Sequence, residues 1–211
     1  MVGFLDLEAN VDSDFKRDRT IFDIIEIGFT SDNKSINFHT FVKPKENDGN
    51  LFNRITELTG ITQEQVDRGM LSDKALGSLV DLCNKVEEIY TWGSYDSYLL
   101  RKNSKYCKSI KGKVYRLSMR IKDLGSLVQA ELNLKSSISL INTAHLLNIN
   151  INSHHSAEDD CELLRLIYIN RGNYNKELLQ EYVELDKKRT KTDKIIFEYN
   201  HFRLVNTNNT I

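Results

Sequence analysis

Two carboxylates stand two residues apart near the start of the chain, Asp6 and Glu8 in the run Phe4-Leu5-Asp6-Leu7-Glu8-Ala9-Asn10. A strand puts residues i and i+2 on one face, so the two charges would project side by side. Such a pair is costly without a cation. A third acid, Asp96, follows Thr91-Trp92-Gly93-Ser94-Tyr95, where a short strand runs through glycine into the first turn of a helix. A last cluster, His154-His155-Ser156-Ala157-Glu158-Asp159-Asp160, puts imidazoles at a helix entrance and carboxylates inside the helix. Each cluster alone has a plainer explanation: an edge strand with an acidic solvent face, or a helix start whose dipole favours an aspartate. Together they supply four carboxylates and one imidazole, a set with a clear chemical use. Two divalent ions about 3.5–4 Å apart clamp a phosphodiester, one activating the attacking water and the other stabilising the leaving oxygen. An all-oxygen ligand set prefers hard Mg2+ or Mn2+. A histidine with an ordinary pKa of about 6.5 accepts a proton near neutral pH.

These residues need a scaffold. Residues 2–8 read as a buried strand and residues 20–30 (TIFDIIEIGFT) as a second, rich in Ile and Phe. After the turn signal Ser31-Asp32-Asn33-Lys34, residues 35–42 form a third strand, closed by the only proline, Pro44. Short turns between them predict an antiparallel meander. A helix over 62–68 sits behind a Thr cap, and 72–87 carries apolar residues at 75, 76, 79, 80, 82 and 83, the spacing of an amphipathic helix. Residues 88–92 are a short strand; further helices are expected over 95–104, 118–132, 136–148, 156–171 and 174–188. In this reading Glu26 faces outward or caps a local contact, Asp123 closes a helix start, and Trp92, Tyr95 and Tyr98 belong to the core. The result is a strand-rich first half and a helix-rich second half.

The chain has 211 residues, 40% of them hydrophobic, which is enough for one substantial core. We expect one domain over 1–185, followed by a C-terminal segment, 186–211, with a basic patch at 187–194 (KKRTKTDK) and a late strand or hairpin over 195–205. The patch could touch a phosphate backbone, although a solvated helix end explains it as well. A net charge of −1 gives no global field for nucleic acid, so a polyanion site must be built locally. No apolar run approaches the roughly 18–20 residues of a membrane helix, and no secretory signal opens the chain, so a cytoplasmic protein without membrane contact is expected. Three widely spaced cysteines, Cys83, Cys107 and Cys161, fit reduced thiols better than a disulfide frame or a zinc site.

The D-x-E of the first strand, the aspartate after Trp92-Gly93-Ser94-Tyr95, and the H-x-A-x-x-D formed by His155, Ala157 and Asp160 resemble the three motifs of the DEDDh group of DnaQ-like 3'–5' exonucleases. The resemblance runs from about Val2 to Ile169 and includes weaker echoes at 24–28 (IIEIG), 40–44 (TFVKP), 58–62 (LTGIT) and 121–124 (IKDL). It looks closest to the branch of RNA-trimming exonucleases and their bacterial relatives. His154 and Asp159 are also five apart; Ala157 in the small-residue position of the motif selects His155 and Asp160. The resemblance implies that Asp6, Glu8, Asp96 and Asp160 hold two Mg2+ or Mn2+ ions and that His155 is the general base. It places Thr59, Gly60 and Ile61 beside the terminal nucleotide, with Ala9 and Asn10 as further substrate contacts. The fold it implies is α/β, a ribonuclease H-like mixed sheet with its first three strands antiparallel, flanked by helices.

The expected activity is metal-dependent hydrolysis of single-stranded RNA or DNA from the 3' end, to nucleoside 5'-monophosphates, with RNA favoured. A silent nucleic-acid-binding or adaptor module of the same fold is the rival, and a metal-dependent phosphohydrolase acting on nucleotides is a third reading. The intact set of five residues argues against the silent module.

Overall fold

The structure, a computed structural model, describes residues 1–11, 22–151, 156–198 and 200–207. Two compact units emerge from the packing, one of Met1–Asp123 with Ser153–Arg165, the other of Leu124–Asn152 with Leu166–Ile211.

The first unit is built on a mixed sheet. Strands β1 (Val2–Val11), β2 (Phe22–Ser31) and β3 (Asn37–Phe41) form the antiparallel meander, and β4 (Glu88–Thr91) and β5 (Ile121–Asp123) extend it. The order is β3-β2-β1-β4-β5, with β4 parallel to β1 and β5 parallel to β4. Strand alternation in β1 sends Leu5, Leu7 and Ala9 into the main core with Ile27 and Phe29 of β2. On that face lie α3 (Ser72–Cys83), α4 (Tyr95–Asn103) and α5 (Lys111–Arg120), contributing Leu76, Leu79, Leu99, Leu100, Val114 and Leu117. Each such side chain, fully buried, contributes on the order of 2 kcal/mol. The other residues of β1, namely Phe4, Asp6, Glu8 and Asn10, point to the opposite face, over which α8 (Ala157–Asn170) begins.

A bulge shapes the end of the β1–β2 ladder. Glu8 pairs with Glu26 but Ala9 pairs with Ile24, leaving Ile25 as the extra residue. Ile24 and Ile27 therefore both reach the main core, while Ile25 enters a second cluster with Ile55 of α1 (Asn53–Thr59), Ile61, and Val66 of α2 (Gln63–Asp67). Asn103 at the end of α4 closes the seam against β2. It donates to the carbonyls of Phe22 and Leu99 and accepts from the Ile24 N–H at 3.1 Å.

The second unit contains α6 (Leu124–Glu131), α7 (Leu140–Leu146), α9 (Lys176–Lys188) and a two-stranded hairpin of β6 (Asp193–Glu198) and β7 (His201–Asn206). Tyr182 of α9 meets Phe202 edge-on, and Phe202 in turn meets Phe197, whose ring stacks on His145 at 3.9 Å. The late hairpin expected over 195–205 thus forms on an aromatic base. No helix among the described residues is long and apolar enough to cross a membrane.

The meander matches expectation, but the helix expected over 118–132 does not form as one piece. The chain leaves the helix at Arg120, adds Ile121–Asp123 to the sheet, and re-enters helix at Leu124. Pairing of Ile121, Lys122 and Asp123 with Ile89, Tyr90 and Thr91 outweighs a helix-compatible local pattern. Helices α1 and α5 were not expected from periodicity. Glu26 does not face outward: it is 1% exposed, and its partners are His39 on the next strand and Ala157, far along the chain.

Candidate metal centre

Three carboxylates from two distant elements meet on the face of β1 opposite the main core. Asp6, Glu8 and Asp160 each offer an oxygen, and these oxygens lie within 4.8 Å of one another. Asp6 and Glu8 come together through the strand's two-residue repeat, and Asp160 is added by the first turn of α8. It is Asp160, and not Asp159, that faces the pair; Asp159 instead accepts from the Ser156 hydroxyl at 2.9 Å. Asp96, buried in the first turn of α4, accepts from the Leu7 N–H at 3.0 Å, so its carboxylate is tied to the strand residue between Asp6 and Glu8. The turn that delivers Asp96 depends on Gly93, whose φ of +85° suits glycine, and Asp123 at the end of β5 accepts the Gly93 N–H at 2.8 Å.

Close packing brings α8 down to the sheet. Gly28 is paired with Asp6 across the ladder, and a Cβ there would lie 2.0 Å from the Ala157 carbonyl oxygen, so only glycine permits the approach. The Ser156 hydroxyl accepts from the Asp159 N–H as an N-cap. A second cap comes from β2: Glu26 accepts the Ala157 N–H at 3.1 Å, and its other oxygen lies 2.6 Å from His39 Nε2. Sequence reading missed this role of Glu26. Its only local signal was a charge set among isoleucines in Ile24-Ile25-Glu26-Ile27.

The acids crowd one another. Burial first, then the charges of Asp96, Asp160, Glu8 and Glu26, push the Asp6 carboxyl well above its ordinary range. Burial, followed by Glu26, Asp160 and Asp96, raises Glu8 to about 7. Burial also raises Asp96 to about 7, with Asp123 and Asp160 adding to it and backbone N–H donors, including that of Leu7, opposing. Every influence on Asp6 and Glu8 works against ionisation, and among the described residues no Lys or Arg forms an ion pair with either. An oxygen-only cluster of this kind fits hard divalent cations, which would supply the missing positive charge.

The remaining predicted residues are placed as follows. His155, with its neighbour His154, lies outside the described residues. Asn10 is fully buried, its amide donating to the Asn50 carbonyl and accepting from the Phe52 N–H, and Ala9 and Ile61 are buried in apolar clusters. Thr59 ends α1 and accepts from the Ile61 N–H, and Gly60 is exposed with open space around it. Tyr95, expected in the core, is instead 47% exposed and stacks on Tyr98 beside Asp96.

The RNase_T family, described as Exonuclease, matches residues 4–168. No curated protein matches the chain. Among solved structures, a 3'-exonuclease described in 3'-end-specific recognition of a histone mRNA stem-loop is similar with a TM-score of 0.62 at 19% identity, over 98% of this chain and 70% of that one. The nuclease domain of 3'hExo, a DEDDh family member bound to rAMP, gives 0.56 at 20% identity over 87% and 93% of the two chains. E. coli Exonuclease I in complex with a dA16 oligonucleotide gives 0.61 at 14% identity over 85% of this chain and 42% of that one. At such identities the likeness to these structures is one of fold. The family match spans most of the chain and takes in Asp6, Glu8, Asp96 and Asp160, and the mixed sheet shares the fold of these 3'-exonucleases: the chain belongs to the RNase_T exonuclease family.

Proposed function

We propose that the protein shortens single-stranded nucleic acid from its 3' end in the cytoplasm, RNA ahead of DNA, releasing nucleoside 5'-monophosphates. The carrying observation is the convergence of Asp6, Glu8 and Asp160, with Asp96 tied to the same strand. Two Mg2+ or Mn2+ ions, when bound by these four residues, supply Lewis acidity and charge neutralisation at the scissile phosphate. The Leu7 N–H restrains the Asp96 carboxylate beside the strand that carries Asp6 and Glu8. His155 directly precedes Ser156, the cap of a firmly seated helix, and takes the proton from the attacking water as general base. Attack at the terminal phosphorus expels the 3'-oxygen of the preceding nucleotide.

Residues 1–185 carry the activity in this reading, and the basic 186–211 segment is accessory to it. Thr59 ends helix α1 and Gly60 and Ile61 follow it, and the three serve the terminal nucleotide at this helix end, Ile61 through its backbone because its side chain is buried. The preference for RNA draws on the solved relatives described with a histone mRNA stem-loop and with rAMP.

The test is a time course on 5'-labelled single-stranded RNA and DNA of matched sequence, with Mg2+ or Mn2+ and with chelator, beside His155→Ala. Stepwise 3' shortening that requires both metal and His155 is expected. A folded, metal-supplied protein that shortens neither strand would point to a silent binding module.

A further inference from the structure

Glu26 is an oddity inside the sheet. It lies directly across the β1–β2 ladder from Glu8, and like charges in that relation are destabilising. It is also 1% exposed, where an ionised carboxylate is expensive unless its oxygens are bonded. Both oxygens are. One accepts the N–H of Ala157, the first residue of α8; the other is bonded to His39 of β3. His39 stands across the ladder from Gly28, and its Nδ1 lies 3.6 Å from Glu158 of the same helical turn. Two strands thus grip one helix turn, and Asp160 sits three residues beyond the gripped N–H.

We propose that Glu26 and His39 are a positioning pair: they seat the first turn of α8 so that Asp160 reaches Asp6 and Glu8, without either of them touching substrate. Gly28 provides the steric floor for the helix, and Glu26 provides the tether. His39 holds the Glu26 carboxylate in the one orientation that meets Ala157. This assignment rests on the exonuclease reading above, because seating Asp160 matters only if Asp160 helps to hold metal. Glu26 also adds negative charge near Glu8, and that electrostatic role makes a different prediction from the tether.

Glutamine separates the two roles. Glu26→Gln keeps an acceptor for the Ala157 N–H and a polar partner for His39 but removes the charge, whereas Glu26→Ala removes both. We would titrate Mn2+ into substrate-free protein by calorimetry, and measure kcat and KM on a 5'-labelled oligonucleotide. Losing a partner that orients a metal ligand typically costs about 10–100-fold in affinity or activity. Glu26→Ala should weaken Mn2+ binding and lower kcat by about tenfold or more, with KM nearly unchanged, while Glu26→Gln stays within about threefold of wild type. His39→Ala, at a half-exposed site that tolerates truncation, should weaken Mn2+ binding about threefold or more and serves if Glu26→Ala does not fold. Equal impairment of Glu26→Gln and Glu26→Ala would make charge the cause and overturn the assignment. So would wild-type Mn2+ binding in Glu26→Ala or His39→Ala. A wild-type protein that neither binds Mn2+ nor cleaves would overturn the exonuclease reading itself, and this assignment with it.

Discussion

Without metal, the protein should lose stability as pH rises from about 5 to about 8, and a divalent cation should restore it. Glu8 and Asp96 titrate near 7 in the fold, above their ordinary values of 4.5 and 3.8. A carboxyl with a raised folded pKa binds its proton more tightly in the native state. The stability it lends is complete below the ordinary carboxylate pKa and is lost as pH climbs through about 7. One pKa unit corresponds to about 1.4 kcal/mol, so the rise at Glu8 alone corresponds to about 3 kcal/mol by pH 8. Asp96 moves by a similar amount, but both respond to Asp160 and Glu8 responds to Asp96 as well, so adding the two in full would count shared repulsion twice. A total on the order of 3–4 kcal/mol is reasonable, which for a chain of this size lowers the melting temperature by roughly 6–15 °C. His39, whose pKa is raised chiefly by its hydrogen bond to Glu26, loses its stabilising contribution over the same range, so a control is needed. Asp6→Asn keeps the size of the central side chain and removes its charge while leaving His39 in place. Thermal unfolding in chelator at several pH values should show a clearly shallower decline for Asp6→Asn, and millimolar Mg2+ should raise wild type at pH 8 more than the variant. Parallel pH profiles for the two proteins would refute the repulsion.

Two further substitutions probe how the site is held. Gly28→Ala would drive a methyl group to 2.0 Å from a backbone oxygen of Ala157, which cannot rotate away; α8 must lift, costing about 1–3 kcal/mol, and cleavage should collapse even where unfolding curves show a folded protein. Near-normal cleavage would mean that the height of α8 is not critical. Asn103→Ala removes two hydrogen bonds between α4 and β2 and one within α4, and strands the buried Ile24 N–H. A loss of about 2–4 kcal/mol in denaturant unfolding is expected, and a loss under about 1 kcal/mol would show that the seam is held by packing alone.

What the sequence made legible follows the range of the interactions involved. The two-residue repeat of Asp6 and Glu8 is a local property of any strand, and the meander announced itself through Ile- and Phe-rich runs parted by a four-residue turn. Asp96 and the Asp159–Asp160 pair drew notice at helix entrances, and the family motif, through Ala157, selected Asp160. The failures share a cause: β5 is three residues whose strand state exists only because β4 offers a parallel edge, and local pattern read them as helix. The burial of Glu26 was equally hidden, since its partners are His39 on the next strand and Ala157, far along the chain. Asn103 carries no local signal either, because its partners Ile24 and Phe22 belong to β2. The order of strands came from no local signal, and the family resemblance supplied only its general form.

The acidic cluster draws on both ends of the chain's first 160 residues, and this has a consequence during synthesis. Strands β1 and β2 can pair early, because their contacts are close in sequence, and α4 can bring Asp96 to Leu7 once about half the chain has emerged. Asp160 arrives only with α8, after the sheet that receives it is complete. A nascent chain therefore carries an incomplete set of acids until residue 160 has been added. The order of the residues along the chain works as a delay on the assembly of a nuclease.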